Sequence, residues 1–294
     1  MIIAAIDIGS NAGRLLIKEV NINSKGKVKF TKLNMLRMPL RLGIDVFTQG
    51  KIGKEREQMT LDSMKVFSDL MKIYKVEHYR ACATSAMRDA KNGDDIRKKI
   101  KAETGINIEI ISGDEEANLI YENHFEDNLN PNKNYLYIDV GGGSTELMFF
   151  ENNDLKYKRS FNIGTLRLLN NLVKQETWEE MKKEIKKHII SDKPLVGIGS
   201  GGNINKIFSL SKTKEGKPIS TDILQEYHAI FSEMSVEKRM SKFKLRRDRA
   251  DVIVPALMIF NKVVNWTRME KIYVPKISVA DGLIKNIYKN LGKK

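Results

Sequence analysis

Two segments carry residues whose types and spacing suit chemistry on an anion. They are Ile6-Asp7-Ile8-Gly9-Ser10-Asn11 and Ile138-Asp139-Val140-Gly141-Gly142-Gly143-Ser144-Thr145. In each, an apolar run reaches an Asp and then breaks into small residues. This puts a carboxylate at a strand end beside backbone N–H groups that can close on a phosphate. Glycine is needed wherever the phosphate must reach the backbone with no Cβ between them. A tight hairpin alone also produces Asp-x-Gly, so one copy says little. Two copies in register argue for two loops gripping one phosphate chain from opposite sides. The candidate phosphate-binding residues are therefore Gly9, Ser10 and Asn11, with Gly141, Gly142, Gly143, Ser144 and Thr145. A third turn, Gly199-Ser200-Gly201-Gly202, ends a strand and opens a helix, and Gly201 is its candidate contact with substrate.

Cations and acids lie near these loops. Arg14 follows the first loop at the start of a strand, and Arg88 follows Thr84-Ser85 in what reads as a loop. Guanidinium forks match phosphate geometry. Arg37 and Arg41, flanking Pro39, are weaker candidates for the same work. Ser112-Gly113-Asp114-Glu115-Glu116-Ala117 reads as an acid-rich helix start with Asp114 as its N-cap. The helix dipole accounts for Asp114 and Glu115. Phosphoryl transfer to water needs a group that orients or deprotonates the water, and Glu116 is the candidate. Asp7, Asp139 and Glu146 are the candidate ligands of a hard divalent cation, which one or two carboxylates and substrate oxygens would hold. No Cys/His cluster has metal-ligand spacing.

The elements that must position these residues read as strand-strand-strand-helix-strand-helix, twice. The first copy has strands over Ile2–Ile8, Leu15–Val20 and Val28–Met35, a helix over Lys54–Tyr74, a strand over Tyr79–Thr84, a helix over Asp94–Thr104, a strand over Asn107–Ile111 and a helix over Glu115–Asn123. The second has strands over Tyr135–Val140, Glu146–Phe150 and Leu155–Ile163, helical segments over Gly164–Val173 and Thr177–Ile190, and a strand over Leu195–Ile198. Helices over Thr221–Glu233 and Arg249–Val264, a strand over Lys271–Val274 and a helix over Ala280–Leu291 complete it. A repeat of this kind sets the architecture. The expected fold is α/β, with two similar domains facing each other across a cleft. They are residues 1–124 and 125–294, with the last helix, 280–294, expected to fold back on the first. The polar stretch Glu126–Lys133 is where the change of domain is expected.

Composition narrows the partners. The 294 residues include 51 Lys and Arg against 37 Asp and Glu, a net charge of +14. Such a field attracts polyanions without choosing among them. The lysines are spread along the chain, and no helix-turn-helix, RNP or zinc-finger pattern accompanies them, so nucleic acid is not expected as a partner. No apolar run approaches the ~18–20 residues of a membrane span, and the N-terminus has no basic segment ahead of its apolar residues, so neither a membrane nor a secretory route is expected. The single cysteine, Cys82, suits a reducing cytoplasm.

Taken in order, these motifs resemble the exopolyphosphatase/guanosine pentaphosphate phosphohydrolase (Ppx/GppA) family of the actin-like superfamily. The resemblance also draws on Ala83-Thr84-Ser85-Ala86-Met87-Arg88, Ile110-Ile111-Ser112-Gly113-Asp114-Glu115-Glu116-Ala117, Asn162-Ile163-Gly164 and Arg249-Ala250-Asp251-Val252-Ile253-Val254-Pro255-Ala256. It implies two ribonuclease H-like domains and release of terminal phosphate from inorganic polyphosphate, or conversion of guanosine pentaphosphate to the tetraphosphate. It further implies Mg²⁺, with Mn²⁺ as the alternative, and a homodimer. By motif match Glu116 takes the catalytic base position, Asp139 and Glu146 the positions tied to metal and catalysis, and Arg14 and Arg88 the basic positions that hold substrate. Two departures stand out. Ala12 occupies a position where the family usually has Ser, and Lys285 follows Asp281-Gly282 where the family has Arg. The chain length implies short polyphosphate or nucleotide substrates rather than long polymer. Two other readings remain at this stage: an alarmone or polyphosphate sensor with weak catalysis, and an ATP-dependent kinase of the same superfamily.

Overall fold

The computed structural model describes the chain except for Lys25, 125–129, Pro131, 276–277 and 293–294, and it describes residues 120–124 as helical backbone only. The described residues divide into two compact units, Met1–His124 with Ser278–Lys294, and Phe125–Ile277. Most of the polar stretch 126–133 lies outside the described residues.

The first unit is built on β1 (Ile2–Ile8), an apolar run interrupted only by Asp7. A strand buried on both faces needs no polar side, which is why it reads as a continuous run. It lies at the middle of a five-stranded sheet of order β3-β2-β1-β4-β5. β2 (Gly13–Ile22) and β3 (Val28–Met38) form the antiparallel meander; β4 (His78–Ala83) and β5 (Ile108–Ile110) join in parallel. The helices are α1 (Leu42–Gln49), α2 (Lys54–Ile73), α3 (Ser85–Asp89), α4 (Gly93–Thr104), α5 (Gly113–His124) and, from the end of the chain, α13 (Val279–Leu291). Alternation splits the sheet faces. Ala4, Ile6, Ile8, Leu15 and Ile17 pack with Met64 and Phe67 of α2 and with Ile96 and Ile100 of α4. The opposite face, bearing Asp7, Arg14 and Lys18, is the α13 side: Lys18 Nζ donates to Asp281 Oδ1 at 2.6 Å.

The second unit repeats the plan. β6 (Asn134–Val140), β7 (Thr145–Glu151), β8 (Asp154–Phe161), β9 (Leu195–Ser200) and β11 (Lys271–Tyr273) run β11-β9-β6-β7-β8, matching β5-β4-β1-β2-β3. The short β10 (Ile219–Ser220) is added at the outer edge of β11. The helices are α6 (Thr165–Leu169), α7 (Gln175–His188), α8 (Gly202–Leu210), α9 (Asp222–Ser232), α10 (Val236–Phe243), α11 (Arg247–Ala250) and α12 (Ile253–Thr267). α12 is the spine of this core. Its Ala256, Leu257, Phe260 and Val264 are buried in one cluster with Leu136, Ile138 and Leu147 of the sheet.

Several elements differ from the sequence reading. α1, α3 and α10 are additional helices; each is short, and α1 opens on a left-handed Arg41 and contains Gly43, which breaks the usual signals. The segment expected as one helix over Gly164–Val173 stops at Leu169, where Asn171 turns left-handed. The helix expected over Arg249–Val264 is two, α11 and α12. Pro255 is tolerated in the first turn of α12 because that turn's N–H groups have no intrahelical partner, and it cannot sit further inside a continuous helix.

Candidate functional site

In the second unit the loop from Gly141 to Ser144 is a closed hairpin, with Gly141 N donating to Ser144 O at 2.9 Å. The carbonyls of its three glycines turn toward α6. Gly141 O accepts from Thr165 N at 3.0 Å and Gly142 O from Leu166 N at 2.8 Å, and Gly143 O accepts from Arg167 Nε at 2.8 Å. In a planar trans peptide C=O and N–H point opposite ways. The N–H groups of Gly142, Gly143 and Ser144 therefore point away from α6, as an anion-binding cradle requires. Gly164 makes this close packing feasible: a Cβ there would stand 2.4 Å from Gly142 O. Thr145, expected to meet substrate, instead donates its hydroxyl to Ile163 O at 2.6 Å and is fully buried, so it ties down the loop.

The strands bring one row of polar side chains beside this cradle. Asp139 pairs with Glu146 across β6 and β7, Ser200 of β9 lies beside Asp139, and Ser160 of β8 beside Glu146. Ser160 Oγ donates to Glu146 Oε1 at 2.8 Å, and Glu146 is only 1% exposed. Two carboxylates directly opposite on neighbouring strands repel unless a cation sits with them. Gly201, with φ +109°, turns the chain from β9 into α8; a Cβ there would stand 3.5 Å from Asp139 Oδ1, so the turn runs beside the acid pair. Arg249 hydrogen-bonds Gly202 O at the start of α8.

The first unit repeats the loop with different charges. Gly9 N donates to Ala12 O at 3.0 Å, Ser10 O accepts from Gly43 N at 2.9 Å and Asn11 O from Arg41 N at 3.1 Å, so Asn11 and Ala12 N–H face away from α1. Ser10 Oγ and Ser85 Oγ share a buried hydrogen bond of 2.8 Å. In the row equivalent to Asp139–Glu146, Asp7 faces Arg14, and Arg14 faces Arg37. Arg14 Nη1 donates to Asp7 Oδ2 at 3.0 Å. Burial pushes the Asp7 carboxyl up from its usual range and Arg14 pulls it back. Asp7, expected among the metal ligands, is the counter-ion of Arg14, and Arg14, expected on substrate, gives one nitrogen, Nη1, to Asp7. Ala12 stands where the second loop has Ser144.

Two expectations about local structure are corrected. Arg88 lies on the helix α3 rather than in a loop, and its Nη1 donates to Ile111 O at 2.7 Å. α5 begins at Gly113, and its cap is Ser112: Ser112 Oγ accepts from Glu115 N at 3.1 Å, where Asp114 was expected to do this. Glu116 is in that first turn, its N–H bonded to Ser112 O at 3.0 Å. Lys285 sits half-buried on α13. Arg167, Ser160 and Gly164 support the site without being expected to. Their partners become visible only once strand register and the α6 turn are fixed, although Asn162-Ile163-Gly164 is legible as a motif.

Among the described residues no group of three or more His, Cys, Asp or Glu side chains could hold a metal. A cation would therefore need the Asp139–Glu146 pair together with oxygens from substrate and water. That donor set fits Mg²⁺, which keeps waters and takes one or two carboxylates.

One plan occurring twice, each time with an acid-bearing strand feeding a tight loop braced by a short helix, defines an α/β chain of two duplicated ribonuclease H-like, actin-like domains. The chain belongs to the Ppx/GppA phosphatase family, whose profile matches residues 21–291. It is similar over its whole length to the crystal structure of the Aquifex aeolicus member of that family: 27% identity, 99% of this chain and 98% of the other covered, TM-score 0.77. Among curated relatives it is 35% identical over 175 residues to a bifunctional 3-dehydroquinate synthase/phosphatase of Fusobacterium nucleatum, covering 56% of this chain and 25% of the relative. It is 30% identical over 172 residues to a guanosine-5'-triphosphate,3'-diphosphate pyrophosphatase of Photobacterium profundum, covering 58% and 33%. The matches thus span a third or less of those relatives. No helix among the described residues is long and apolar enough to cross a membrane.

Proposed function

We propose that the chain releases terminal orthophosphate from linear phosphoanhydrides, inorganic polyphosphate and guanosine pentaphosphate being the substrate classes. Membership of a phosphatase family supports hydrolysis, and the relative named for guanosine-5'-triphosphate,3'-diphosphate supports a substrate with a run of phosphates. The observation that carries the reading is the Asp139–Glu146 carboxylate pair beside the outward N–H groups of Gly142, Gly143 and Ser144.

In this reading Asp139 and Glu146 would hold Mg²⁺, with Mn²⁺ as the alternative, which would supply charge neutralisation at the phosphate oxygens. The Gly142–Ser144 N–H groups bind the terminal phosphate. In the first unit, the loop from Gly9 to Ala12 binds phosphate through its own N–H groups, and Arg14, Arg37 and Arg88 supply positive charge. Glu116 orients a water and takes its proton as the water oxygen bonds to phosphorus in line; the anhydride P–O bond breaks and the shortened chain leaves. General-base assistance contributes about 10²–10⁴-fold, so Glu116→Gln is expected to lower kcat by that order while substrate still binds. Undiminished phosphate release by that variant would remove Glu116 from the role.

A sensor with weak catalysis is the second reading, and Ala12 favours it, since the loop lacks the hydroxyl that Ser144 supplies in the other unit. It predicts binding of the same substrates without metal-dependent phosphate release.

A further inference from the structure

Glu116 can orient a water only if the first turn of α5 is held in place. One guanidinium does much of the holding. Arg80, on β4, has a side chain 21% exposed. Its Nη2 donates to Glu115 Oε1 at 2.8 Å and to Glu109 Oε2 at 2.7 Å, its Nε to Glu109 Oε2 at 3.0 Å, and its Nη1 to Asn286 Oδ1 at 3.1 Å. Arg80 therefore ties together β4, β5, the first turn of α5 and α13. A lysine, with one point charge, could not span these partners.

α13 is itself fixed. Ser278 and Asp281 form a reciprocal capping box at its start, and Asp281 also accepts from Lys18 on β2 at 2.6 Å. Gly282 brings α13 so close to α5 that a Cβ there would stand 2.0 Å from Leu119 O. The helix carrying Glu116 is thus braced by a segment from the far end of the chain. The dipole explanation of Glu115 is incomplete: its carboxylate is one end of this brace.

We propose that Arg80 is a positioning residue for Glu116, acting through Glu115 and α13 to present the Glu116 carboxylate in one place. This rests on the reading of Glu116 as the group that orients water. All three Arg80 nitrogens bond within this brace, so it acts by fixing the backbone from which Glu116 projects. A misplacement of about 1 Å at a reacting group costs on the order of 10²-fold in rate.

The test is steady-state phosphate release from tripolyphosphate with Mg²⁺, for the native chain, Arg80→Gln, Arg80→Lys, Glu115→Gln and Gly282→Ala, each also combined with Glu116→Gln. Arg80→Gln is expected to lower kcat by about 10- to 100-fold with KM within about twofold, and Arg80→Lys to recover only part of the loss. Glu115→Gln, which keeps the side chain's size, is expected to show a smaller loss of the same kind, and Gly282→Ala, whose Cβ must push α13 off α5, a loss at least as large. In the Glu116→Gln background, none of them should lower the residual rate further, because the group they position is already gone. Native kcat in Arg80→Gln or Glu115→Gln overturns the proposal, as does a loss that appears in KM or adds in full to that of Glu116→Gln. Native turnover in Glu116→Gln alone would overturn the reading of Glu116, and the brace with it.

Discussion

At the scale of single residues, the duplicated loops differ most in one position. Asp139 faces Glu146, whereas the equivalent Asp7 faces Arg14. One row sets two carboxyl groups opposite each other; the other sets one carboxyl group against Arg14, with Arg37 next in line. Divalent-metal affinity, measured by calorimetry without substrate, is therefore expected to fall at least about tenfold in Asp139→Asn and Glu146→Gln and to stay near native in Asp7→Asn. Equal losses in all three would assign Asp7 to the metal as well. Cys82 makes a second residue-scale prediction. Burial pushes its thiol up to about 12, against a pull from Arg80. It should resist alkylation at pH 8 in the folded state and react after denaturation. Because its folded value lies above the ordinary 9.0, its contribution to stability is complete below that pH and is lost as pH rises toward about 12. The urea midpoint of the native chain should therefore fall more between pH 8 and 11 than that of Cys82→Ala.

At the scale of elements, the loops depend on the short helices behind them. α6 orients the second loop's carbonyls and Gly164 permits the approach, with its Cβ position 2.4 Å from Gly142 O. Gly164→Ala must push the loop away from α6. It is expected to cost about 1–3 kcal/mol in stability and to raise KM, as read by thermal unfolding and kinetics. Native values of both would show that the loop tolerates displacement. This scale also separates what the sequence discloses from what it hides. β1 and β6 are legible because a central strand buried on both faces is a continuous apolar run ending in small residues, and α2 because twenty residues give its period room to show. α1 and α3 hide in eight and five residues. Ser160, Arg80 and Arg167 hide for another reason: their roles come from strand register and helix packing, which bring together residues far apart in the chain. Thr145 and Arg14 show the converse. Their types suit phosphate, but the contacts that the Thr145 hydroxyl makes to Ile163 O and Arg14 Nη1 makes to Asp7 are set by register and cannot be read from type.

At the scale of the whole molecule, duplication gives each unit one such loop, and the chain carries a diffuse net charge of +14. If the substrates are polyanions, KM should rise steeply between about 50 and 200 mM salt, with kcat changing little, because attraction at long range is screened while contacts at the loops are not. The central claim, that this chain hydrolyses a terminal phosphoanhydride with Glu116 orienting the water, is tested most directly by one experiment. Phosphate release would be measured from short-chain polyphosphate and from guanosine pentaphosphate, with Mg²⁺ and with chelator, for the native chain and Glu116→Gln. The account predicts metal-dependent release from at least one substrate, abolished by chelator and lowered about 10²-fold or more in the variant. Binding of both substrates with no release, or release that Glu116→Gln leaves intact, would contradict it.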